Sequence, residues 1–92
     1  MLTHKQILNV IPLYKTKIEE ALAGELGEWS IQDNAERLTH CIFMIGRMMG
    51  AESMQDDKAN RWLGFIQGVL WCTGLYSVSE MAEHNQQAKT SR

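Results

Sequence analysis

The chain has 92 residues, 45% of them hydrophobic, a formal net charge of −2 and two cysteines, which fits one small helical domain near the lower limit of what can bury an adequate core alone. Nine Lys and Arg against eleven Asp and Glu, scattered along the chain, exclude the concentrated basic field that nucleic-acid binding needs. Cys41 and Cys72 lack CxxC spacing and histidine partners, and no signal peptide precedes the first helix, so both read as reduced core thiols of a cytoplasmic protein.

Thr3 with Gln6 forms a capping box, and Ile7, Val10 and Ile11 follow at helical spacing, which predicts a first helix from about residue 4. Pro12 has no amide hydrogen and disfavours helical geometry at Ile11, so this helix kinks or restarts there. Its second half carries Tyr14, Ile18, Ala21 and Leu22 on one face. The segment GELGEWSIQ, residues 24 to 32, is a connection, with Ser30 and Asp33 placed as the next N-cap pair and Trp29 expected to fold back as a lid on the core or to meet a ligand or partner.

A second helix is predicted from about Ile31 to Met49, with Ala35, Leu38, Ile42, Ile45 and Met49 as its apolar stripe and Gly50 as its stop. Beside that stripe runs a second row of Glu36, His40, Phe43 and Arg47. Ser53 with Asp56 is expected to start the third helix, which stops at Gly74. So short a turn makes the two long helices antiparallel. The third helix contains RWLGFIQGVLW, residues 61 to 71, with Arg61, Gly64, Phe65, Gly68, Trp71 and Cys72 on one side and Trp62, Ile66, Val69 and Thr73 on the other. Both sides therefore need cover. The apolar run from Trp62 to Tyr76 is shorter than the roughly 20 residues of a membrane span, so no membrane association is expected. Ser77 and Glu80 cap a short C-terminal helix through about Asn85, and residues 86 to 92 are expected to fray. The predicted fold is all-α: an antiparallel helical hairpin with a kinked N-terminal helix and a short C-terminal helix, assembled as a homo-oligomeric bundle over residues 1 to 92.

Gly46 and Gly50, and Gly64 and Gly68, are pairs four residues apart. Because a helix-interior glycine costs about 1 kcal/mol relative to alanine, something must approach these helices closely. Either one helix of the hairpin packs on the other through them, or they floor a site for a flat ligand or another subunit.

No catalytic constellation emerges. There is no phosphate loop after a strand, and the serines sit where capping explains them. His40 and Cys41 point about 100° apart on a helix, and Glu80 with His84 supplies two ligands at most, so no metal site is expected. A non-enzymatic protein without a cofactor remains.

The run KANRWLGFIQGVLWCTGLYSVSEMAEHN, residues 58 to 85, resembles the C-terminal half of a group of small proteins encoded by tailed phages and prophages, and LTHKQILNVIPLYKTKIEEAL, residues 2 to 22, looks like its N-terminal part. In size and architecture the chain also resembles compact helical-hairpin phage proteins that sequester nucleotide signals of bacterial defence. That resemblance implies a homo-oligomer with pockets between subunits, and brings no residue-level motif. A nucleotide needs a cation for its phosphates and a flat apolar wall for its base. Arg47 and Arg61 are the candidates for phosphate, Phe43, Trp71 and Tyr14 for stacking, His40 as a second cation beside Phe43, and Gln67 for a base edge or ribose. The competing reading is an interaction protein that inhibits a host enzyme or defence protein through exposed rows of Met44, Met48, Met54 and Phe43.

Overall fold

The computed structural model describes residues 1–24 and 31–90, with the side chains of residues 31–33 outside the description. Its elements are α1 (His4–Ile7), α2 (Ile11–Leu22), α3 (Ile31–Gly50), α4 (Asp56–Cys72) and α5 (Val78–Thr90). Among the described residues there is no strand. The expected lid of Trp29 and cap of Ser30 with Asp33 lie outside the described residues.

The N-terminal helix breaks where Pro12 requires it. α1 opens on a complete capping box, with the Gln6 amide donating to Thr3 Oγ1 at 3.1 Å and the Thr3 amide to Gln6 Oε1 at 2.9 Å. Residues 8–10 form turns, and α2 restarts with Pro12 in its first turn, where a missing amide hydrogen breaks no helical bond. Two side chains of α4 then tie the N-terminal segment down. Asp56 Oδ1 accepts from the His4 amide at 2.8 Å, while Asn60 accepts from the Leu2 amide at 3.3 Å and donates to the Leu2 carbonyl at 2.6 Å. Buried His4 donates from Nε2 to the Met48 carbonyl at 3.0 Å.

Helices α3 and α4 form the antiparallel hairpin: His40 of α3 meets Phe65 of α4, and Arg47, later on α3, shares a pocket with Lys58, earlier on α4. α2 packs against the other side of α3, and α1 against α4 and α5. Because α3 is covered from two sides, its buried arc is wider than predicted and rotated. Leu38, Cys41, Met44, Ile45 and Met48 are buried, whereas Ile42 is half-buried and Met49 exposed.

On α4 the buried row is Ala59, Leu63, Ile66 and Leu70, continued by the C-cap Thr73, spaced four and three as a helix packed on one side demands. The helix starts at Asp56 with Gln55 as N-cap and no side-chain cap bond, so the expected Ser53 cap does not form; Asp56 serves α1 instead. Its C-terminus closes as a Schellman motif. Gly74, at φ +77°, donates to the Trp71 carbonyl at 3.0 Å, and Leu75 to the Leu70 carbonyl at 2.9 Å.

Ser77 and Glu80 form the predicted capping box of α5, with bonds of 2.9 and 3.1 Å. Those bonds with Ser77 hold the Glu80 carboxyl below its ordinary range. The helix runs to Thr90 rather than fraying after Asn85. Ala88 is buried and the Lys89 carbonyl accepts from Gln6 Nε2 at 3.4 Å, so contact with α1 carries the polar tail sequence into the bundle. Among the described residues no helix is long and apolar enough to cross a membrane.

Candidate functional site

The hairpin covers one face of α4 and leaves the other open. Phe43 is 57% exposed, Phe65 51% and Trp71 58%. Phe43 comes from α3, and Phe65 and Trp71 from α4, in the rows that neither core stripe uses. Together they wall two adjoining grooves that share Arg37 and Phe65.

The first groove, of about 720 Å³, is lined by Ala35, Glu36, Arg37, Thr39, His40, Phe43 and Phe65. The His40 ring stacks on Phe43 with centroids 6.2 Å apart at 29°, and meets Phe65 nearly edge-on at 5.8 Å and 77°. The guanidinium of Arg47 lies 5.8 Å from the Phe43 ring centre, continuing the row at the far end. The second groove, of about 700 Å³, is bounded by Arg37, Phe65, Val69, Trp71 and Cys72, with Gly64 and Gly68 among its lining residues.

A Cβ built on Gly46, Gly50, Gly64 or Gly68 would meet nothing within 4 Å. Helix-to-helix packing inside this chain therefore does not explain the glycine pairs. At Gly64 and Gly68 the missing side chains widen a groove.

Of the residues singled out in the sequence, His40, Phe43 and Arg47 come together on α3, and Trp71 stands beside the glycines on α4. Tyr14 and Gln67 do not join them. Tyr14 is fully buried: Gln67 Nε2 donates to its hydroxyl at 3.0 Å and to Asn85 Oδ1 at 2.8 Å, and the same hydroxyl meets His84 Nδ1 at 2.9 Å. Burial pushes the Tyr14 hydroxyl up to about 12, the bond from Gln67 opposing the rise. The half-buried amide of Gln67 thus joins α2, α4 and α5 inside the chain, because an amide taken out of water must find partners. Tyr14 and Gln67 are removed from the ligand set for that reason. Arg61 lines neither groove; it pairs with Asp57 at 3.4 Å on an exposed helix surface.

Arg37 and Phe65 are the grooves' shared residues that sequence reasoning missed. Helical spacing signalled both: Arg37 lies three before His40, and Phe65 sits between Gly64 and Gly68 on the unpartnered side. The methionine row is corrected as well. Met44 and Met48 are buried and Met54 half-buried, so they fill the core instead of offering an adaptable surface. Cys41 is buried, which raises its thiol to about 11, while Cys72 is exposed in the second groove and is not a core thiol.

The site offers flat rings, a guanidinium between two grooves, a second guanidinium at one end, and Glu36 as an acceptor suited to an amino group or a sugar hydroxyl. Comparisons with protein-family models, curated proteins and solved structures found no match for this chain.

Proposed function

We propose that the chain is a phage-encoded, non-enzymatic binding protein that takes a small anionic nucleotide-like signal of host defence into the grooves between α3 and α4 and keeps it from its receptor, acting as a homo-oligomer. The carrying observation is the open aromatic wall of His40, Phe43, Phe65 and Trp71, set over a glycine floor with Arg37 in both grooves and Arg47 against the Phe43 ring at the end of the row, none of it needed by the core. A base stacks between rings, and a guanidinium bonds phosphate oxygens in a bidentate fork. Grooves of about 700 Å³ lie within the range of small-molecule sites. The resemblance of residues 58 to 85 to phage proteins supplies the biological setting.

Thermal shift against a panel of cyclic and ADP-ribose-type nucleotides tests this. A ligand at 100 times its Kd adds about 2.7 kcal/mol to stability, which for a domain of this size raises the Tm by on the order of 10 °C. The rise should vanish in Arg37→Ala and shrink in Phe65→Ala. A flat response across the panel removes the reading and promotes a protein partner on the same aromatic face, for which affinity capture should return one stoichiometric host protein.

A further inference from the structure

Another pocket, of about 410 Å³, lies at the hairpin tip, lined by Arg47, Ala51, Ser53, Met54, Gln55, Lys58 and Trp62. Arg47 comes from the last turn of α3 and Lys58 from the first turn of α4, so the turn brings two cations from opposite limbs to one concavity. Like charges facing each other repel unless an anion or solvent screens them. Acidic residues are close in sequence, yet two of them are committed elsewhere: Asp57 pairs with Arg61 at 3.4 Å, and Asp56 Oδ1 accepts from the His4 amide at 2.8 Å. Among the described residues neither the Arg47 nor the Lys58 side chain has an ion pair or hydrogen bond.

Both cations are nevertheless held. Arg47 rests against the Phe43 ring at 5.8 Å and Lys58 against the Trp62 ring at 5.2 Å. Contact with a ring face uses the charge without consuming an N–H donor, so the guanidinium fork and the ammonium donors stay available. Ser53 adds a hydroxyl and Gln55 an amide to the same lining. Among the described residues no acidic side chain lines the pocket.

We infer that the tip pocket is a phosphoryl-binding site, with Arg47 and Lys58 sharing the charge and Ser53 donating to a third oxygen. The ligand class is a compact phosphate carrying more than one negative charge: a phosphomonoester or a pyrophosphate. Two cations match a dianion better than the single charge of a phosphodiester, and the volume suits a group of one-ring size. The tip pocket shares Arg47 with the end of the Phe43 row and none of its other lining residues with the grooves, and Lys58 and Ser53 carry the test of it apart from the function proposed for the grooves.

NMR titration of the full chain with inorganic phosphate, pyrophosphate and a nucleoside monophosphate, each at constant ionic strength, tests the inference. Saturable shifts are expected at the amides of residues 53 to 58 and at the Arg47 side chain. Lys58→Gln and Ser53→Ala should each weaken binding, and the Arg47→Gln, Lys58→Gln double variant should weaken it at least tenfold. Lys15→Gln, on α2, should change nothing. A Tm equal to that of the parent separates loss of binding from loss of fold, and unchanged shifts on groove residues in Lys58→Gln separate this site from the grooves. Equal shifts from chloride at matched ionic strength, or no saturable shift at residues 53 to 58, overturn the proposal.

Discussion

At the residue scale, the Tyr14 hydroxyl is the most consequential polar atom, because three helices meet through it. Tyr14→Phe keeps the ring contacts with Tyr76 and His84, centred 5.6 and 5.5 Å away, and deletes only the oxygen. Gln67 Nε2 retains Asn85 but loses one of its two acceptors. A loss of about 1 to 3 kcal/mol in urea unfolding is expected, and an unchanged midpoint would show that water replaces the hydroxyl. The same residue makes stability fall at high pH. Its hydroxyl rises from 10.0 to about 12 and the Cys41 thiol from 9.0 to about 11 through burial. A folded-state pKa above the unfolded one gives stability that is fully present below the unfolded value and lost as pH climbs to the folded one. Unfolding free energy should therefore drop from pH 9 to 11 through Cys41 and from pH 10 to 12 through Tyr14. Cys41→Val should flatten the lower part of that decline. Thiol labelling of the native protein gives a companion readout: Cys72 reacts at once, and Cys41 only on opening.

At the element scale, the open hydrogen side of four helical glycines sets up a sign test. With nothing within 4 Å of a built Cβ, Gly64→Ala and Gly68→Ala should each raise the stability of the isolated chain by about 0.5 to 1 kcal/mol through helix propensity. Gly74→Ala should do the reverse by about 1 to 2 kcal/mol, since its φ of +77° is strained for any residue with a Cβ. Chemical denaturation of the three variants checks both directions. Much at this scale was legible because it is local: the capping boxes at Thr3 and Ser77, the break at Pro12 and the stop at Gly74 each follow from one or two side chains and a backbone preference. What misled was tertiary. Ser53 looked like an N-cap until Asp56 was taken by α1, and α5 outran its apolar pattern because α1 holds its last turn. On α3, periodicity identified an amphipathic helix but not that α2 and α4 would bury it from two sides, which drew Cys41, Met44 and Met48 inward. The site was half legible for the same reason. His40, Phe43 and Arg47 share a helix and follow from spacing, whereas Arg37 meets Phe65 and Trp71 only once the register of the hairpin is set.

At the scale of the whole molecule, the extents are 36 × 25 × 18 Å. The thin dimension has room for two layers of helices at the usual 8 to 10 Å spacing, and among the described residues the outer face of the hairpin has no third layer. Phe43, Phe65 and Trp71 on that face, beside open glycines, form the kind of contiguous apolar surface that marks an interface or a ligand site. We expect a homo-oligomer that buries part of it, with light scattering at micromolar concentration giving a mass above one chain and the unfolding midpoint rising with protein concentration. A stable monomer across that range sinks the expectation. Phe65→Glu should dissociate the assembly while leaving helix content unchanged, because its side chain is half in solvent and contributes no buried core volume. Gly68→Leu then separates the two uses of the face. In the isolated chain the added side chain enters open groove space, so folding survives. If another copy's backbone rests on Gly68, the variant becomes monomeric; if the glycine floors only a ligand groove, the oligomer persists and the thermal response to nucleotide is lost. An oligomer and a ligand response both unaffected by Gly68→Leu would place the contact on the Phe43 side of the hairpin, away from the glycines.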